Sequence, residues 1–159
     1  GNVTTDSIND VRAELVNQIG HTLADIRTLK LQKPMGLQVG SPQPDLLESR
    51  YSARSLMDIH DNIIGIKRLF LGSDTTLGLV HDPTLEGIDF SSEFETRTDQ
   101  CLTHILQLHQ SGSLEETILI EPEQIEILSD EIGYLQQLVQ EDIILAMSLW
   151  LTFNDSDGD

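Results

Sequence analysis

The stretch SLMDIHDNIIGIKRLFL, residues 55–71, decides the fold. Its apolar side chains Leu56, Ile59, Ile63, Ile66 and Phe70 recur every three or four residues. At 100° per residue that spacing stacks them on one face of a helix, predicted over about 53–71 and stopped by Gly72. Ser55, Asp58 and Asn62 fall within about 60° of one another beside that face, and Gly65 continues the line. A polar stripe bordering an apolar face is half-buried by construction, so its groups need hydrogen-bond partners from a neighbouring helix or from a ligand.

Upstream, Ile8, Val11, Leu15, Ile19, Leu23, Ile26 and Leu29 form a second helical stripe over about 6–31. Asp6 and Asp10 suit the positive end of its dipole. Pro34, Gly36, Gly40, Pro42 and Pro44 follow as a connector that can be neither helix nor inner strand. Downstream, a segment over about 88–110 is apolar at Ile88, Phe90, Phe94, Cys101, Leu102, Ile105 and Leu108, and its polar stretch 95–100 predicts a break or exposed turn. Ser113 with Glu116 forms a capping-box pattern for a short helix over 114–119. Pro122 suits the first turn of a last helix that carries Ile125, Leu128, Ile132, Leu135, Leu138 or Val139, Ile143, Met147 and Trp150. Nothing alternates with period two over a sustained run. The expectation is an all-α, up-and-down four-helix bundle with long connecting loops, a single domain over residues 1–159.

The 159 residues carry 27 acids against 9 bases, a formal net charge of -18. Phosphate backbones and anionic membrane surfaces repel such a chain, which excludes nucleic acid as a partner. No apolar run approaches the ~20 residues of a membrane span. The one cysteine, Cys101, excludes a disulfide scaffold or a Cys-rich zinc site. The charge is uneven. Residues 1–68 hold eight acids and eight bases, whereas 69–159 hold nineteen acids and one base, Arg97. The acid excess reads either as a solvated outer coat or as a face for a basic partner. The opening Gly1-Asn2-Val3, without Met, reads as a scar of tag removal, with natural sequence expected upstream.

None of the five histidines, His21, His60, His81, His104 and His109, is followed by Glu three residues on, and none opens H-E-x-x-H. His104 and His109 point about 140° apart on a helix, too far for one metal. The tail NDSDGD, residues 154–159, resembles a calcium loop in its alternating Asp155, Asp157 and Asp159. An EF-hand is excluded because Phe153 would stand at the first ligand position and no Glu follows. Those three aspartates are therefore weak candidates for a looser cation contact. Phosphate-binding loops and the G-x-S-x-G elbow of a serine nucleophile are missing, and no catalytic residue is assigned. The richest stretch remains Glu48 to Asn62, read either as an interhelical hydrogen-bond network or as a binding site.

Leu31, Pro34 and Gly36, then Glu48, Ser49, Ser52, Ser55, Asp58, Asn62 and Gly65, and the ending Asp155-Ser156-Asp157-Gly158-Asp159 resemble the C-terminal half of imelysin-like proteins. That family is also described as iron-regulated protein A-like or as insulin-cleaving peptidases. The likeness runs from about Leu15 to Asp159. It implies two similar helical repeats, of which this chain is the second, in the bacterial periplasm or at the outer membrane. It also implies a link to iron uptake, with iron or another divalent metal held through the complete protein. The implied site lies at the junction with an N-terminal repeat, and Glu48, Ser49, Ser55, Asp58 and Asn62 would supply one wall. The family's G-x-H-x-x-E motif does not occur in this chain. The expected role is therefore a binding protein. The alternatives are a metal-dependent peptidase, which needs the His/Glu half, and an acidic helical interaction module.

Overall fold

The computed structural model describes residues 5–81 and 90–143. Helix α1 (Thr5–Asp25) runs without interruption through a π-helical segment, Ile26–Gln32, into the short α2 (Lys33–Met35). After two 3₁₀ turns, Pro44–Leu46 and Arg50–Ser52, comes α3 (Ser55–Leu71). A two-stranded hairpin pairs β1 (Gly72–Ser73) with β2 (Thr76–Leu77), and a 3₁₀ turn follows at Leu79–His81. The rest is α4 (Phe90–Ser111), α5 (Leu114–Ile120) and α6 (Pro122–Gln137), which passes into a second π-helical segment, Leu138–Ile143.

The fold is all-α and up-and-down, as its periodicity predicts. Helix α3 packs on α4, α4 on α6, and α6 with its π extension on α1. Phe70 at the end of α3 meets Phe94 near the start of α4, with ring centroids 4.2 Å apart. On the other side Gly20 abuts Gln140, Arg27 lies across Gly133, and Gln32 Nε2 donates to Ser129 Oγ at 3.2 Å, an antiparallel register for α1 and α6. Gly133 has a packing reason: a methyl group there would come within 3.3 Å of the Arg27 guanidinium. One continuous core of Leu, Ile, Val and the two Phe side chains joins the four long helices, so few aromatic residues are needed.

Three expectations change. Helix α4 has no break at 95–100, because Thr98 is fully buried and its hydroxyl donates to the carbonyls of Phe94 and Glu95. With its donor satisfied, Thr98 fills the core position between Phe94 and Cys101. In the first stripe Val11 and Leu29 are exposed, while Val16 and Leu31 are buried. The π segment explains the second exchange: its wider i→i+5 turn brings Leu31, five residues after Ile26, onto the core face and turns Leu29 outward. Leu138 and Val139 are both buried, three and four residues after Leu135 on the same helix face. Finally, the first helix persists through Pro34 and ends at Gly36, whose left-handed φ of 71° caps it. The apolar positions expected at Ile8, Ile88, Phe90, Ile143, Met147 and Trp150 lie outside the described side chains, as do Asp155, Asp157 and Asp159.

Candidate functional site

The connector between the first and third helices is a built structure. Gly36 reverses the chain, Gly40 N–H donates to the Gly36 carbonyl at 2.8 Å, and Gln43 N–H donates to the Pro34 carbonyl at 2.7 Å. The chain thus returns along α2 and places Glu48 beside Lys30, with Nζ 2.9 Å from Oε2. A second reversal at Ala53, with φ 52°, starts α3.

Around that reversal the sequence-predicted residues converge. Ser49 Oγ donates to Asp58 Oδ2 at 2.5 Å, joining the turn to the first turn of α3. Ser52 Oγ donates to the Ser49 carbonyl at 3.1 Å. Arg54 lies 3.4 Å from Asp58 Oδ1 and 3.5 Å from Asp61. Ser55, Asp58 and Asn62 are all half-buried, as the stripe geometry requires, while Gly65 is exposed and borders open space. Neither the Ser55 hydroxyl nor the Asn62 amide makes a hydrogen bond among the described residues. Glu48 is exposed and turned to Lys30, so it belongs to the rim and not to the Ser49–Asp58 pair.

Two features could not be read from spacing. Arg50 sends a forked pair of bonds to Glu115, Nε at 3.0 Å and Nη2 at 2.8 Å, and also contacts Asp45. This clamp ties the connector to the start of α5 across 65 positions of chain. His104 Nδ1 on α4 lies 3.0 Å from Glu131 Oε2 on α6. Beneath it, burial first and then the Glu131 charge push the Cys101 thiol up to about 12, so it is not a thiolate at neutral pH.

The Arg50 hydrogen bond holds Glu115 below its ordinary value of 4.5, and the Arg50 guanidinium is raised by the same bond. A carboxylate lowered in the folded state stabilises above its unfolded value and loses that contribution as pH falls through its folded value. The melting temperature of the wild type is therefore expected to fall more steeply below about pH 5 than that of Glu115→Gln. Parallel curves from thermal unfolding across a pH series would remove the clamp from the acid response.

The donor set does not suit a bare metal ion on this face. Asp58 and Asp61 face Arg54, Glu48 faces Lys30, and Asp45 and Glu115 share Arg50, so each carboxylate already has a cation. Among the described residues no group of three or more His, Cys, Asp or Glu side chains is placed to hold a metal.

Taken together, the connector and helix give a helical bundle with a half-buried polar face where the connector meets α3. The chain belongs to the imelysin family: the family model Peptidase_M75, Imelysin, matches residues 2–141. Neither the curated proteins nor the solved structures contain a match to it.

Proposed function

We propose that this chain is a binding protein of the bacterial periplasm or outer membrane, linked to iron acquisition. Its Ser49, Ser55, Asp58 and Asn62 face forms one wall of a site that a second, similar helical repeat of the same protein completes. Membership of the imelysin family supports the setting. The observation that carries the site is the pair of half-buried polar groups, Ser55 and Asn62, without hydrogen bonds among the described residues, flanking the Ser49–Asp58 bond. Their polar atoms are not sealed from solvent, so this hydrogen-bonding capacity is open toward the surface. Tyr51, 99% exposed beside this face, and the exposed Leu46 add the amphipathic and apolar contact area that interfaces favour. Since each local carboxylate is already engaged by Lys30, Arg50 or Arg54, iron is met here as part of a larger chelate and not as a bare ion. No described helix is long and apolar enough to cross a membrane.

Calorimetric titration of the protein at its full natural length with ferric citrate tests this reading. Asp58→Ala is expected to weaken binding at least about tenfold, the loss of one charged hydrogen-bonding group. A variant that loses stability but binds ferric citrate like the wild type would assign the stripe to packing alone. Zinc-dependent, chelator-sensitive cleavage of an unfolded polypeptide would overturn the binding role in favour of a peptidase.

A further inference from the structure

A second surface, sharing no residue with the Ser49–Asp58 face, has the composition of a recognition groove. It follows the seam between α4 and α6 with a volume of about 860 Å³ and continues past Gln107 and Gln124 into a recess of about 310 Å³ against α5. On α4 it spans Thr96 to Ser111, about 22 Å of helix. The amides of Gln100, Gln107 and Gln124 line it and make no hydrogen bond among the described residues. Two isoleucines punctuate it, Ile120 at 74% exposure and Ile127 at 48%. Asp99, Glu116, Glu121 and Glu131 contribute carboxylates, and no Lys or Arg is among the lining residues. Among the described residues Glu116 has no cation partner, its carboxylate accepting instead from the N–H and hydroxyl of Ser113.

We propose that this groove docks a basic, amphipathic segment of a partner protein. Charge complementarity selects the partner: Asp99 is paired with Lys67 of α3 and Glu131 with His104, but Glu116 and Glu121 have no ion pair among the described residues, and Arg97 beside the groove is held by Glu93 and the Tyr134 ring. The two exposed isoleucines select an amphipathic segment over a simple cation, because burying them needs apolar side chains. The free amides supply donors and acceptors that suit the polar groups of a peptide. The length of the seam accommodates a helix of about 15 residues.

The test is fluorescence anisotropy with a labelled amphipathic leucine–lysine peptide about 15 residues long, at low salt. The double variant Gln100→Lys with Gln124→Lys, folded by circular dichroism, is expected to weaken binding at least about tenfold. Glu126→Lys adds the same charge on α6 outside the groove and is expected to change affinity less than about twofold. Ile120→Ser with Ile127→Ser leaves the charge untouched and is expected to weaken binding several-fold. The proposal fails if the wild type does not bind the peptide, or if Glu126→Lys costs as much as the groove variants. It also fails if the isoleucine variant binds like the wild type, or if spermine displaces the peptide at equal concentration.

Discussion

Phe94→Ala is expected to destabilise the protein by about 3–5 kcal/mol, the range for truncating a fully buried aromatic ring. Phe94 and Phe70 are both completely buried, and their rings meet at 4.2 Å with a 43° tilt where α3 and α4 come together. The chain has only four phenylalanines, so the neighbouring side chains are mainly aliphatic and already in contact with the pair. They cannot collapse into the space without leaving their own packing. Urea unfolding followed by circular dichroism should show a lower midpoint with an unchanged slope. Phe94→Leu, which keeps most of the volume, should cost less than half as much. A loss below about 1 kcal/mol for the alanine variant would mean that this end of the helix pair tolerates a cavity.

Gly36→Ala should be nearly as damaging and should reach the candidate site. The left-handed conformation alone costs an L residue about 1–2 kcal/mol. A methyl group at Gly36 would also run into the carbonyl oxygen of Ser41, a backbone atom that cannot swing aside. To relieve that contact the connector must move, and with it the Gln43–Pro34 bond that returns the chain toward Glu48 and Ser49. The expected loss is more than about 2 kcal/mol, with weaker binding of ferric citrate in the folded fraction. By contrast, Gly65→Ala meets open space and replaces glycine within a helix, so it should be neutral or slightly stabilising. Equal behaviour of the two glycine variants would detach the turn from the site.

What the amino-acid pattern reveals follows from how local the interactions are. Helix α3 is legible throughout, because its five core positions keep step with an unbroken α-helical turn. The capping box at Ser113 and Glu116, three residues apart, and the proline start of α6, a single-residue signal, are legible because both are local. Thr98 escaped because a hydroxyl that satisfies itself on its own helix behaves as a core residue while counting as polar. The face past Ile26 escaped because a regular period was assumed where the helix widens. Within the candidate site, the half-burial of Ser55, Asp58 and Asn62 was foreseeable from their angular positions. The Ser49–Asp58 bond needed the left-handed turn at Ala53, and the Arg50–Glu115 clamp joins distant parts of the chain. No spacing rule reaches either.

The wide turn over Ile26–Gln32 also bears on how such chains vary in length. A regular helix would restore the facing of Leu31 if one residue were removed between Ile26 and Leu31, since four steps would then do the work of five. The segment therefore acts as a spare tooth in a ratchet: the chain can shorten by one here while the helices on both sides keep their seats. A chain one residue shorter at that point would keep Leu31's core position on a regular turn.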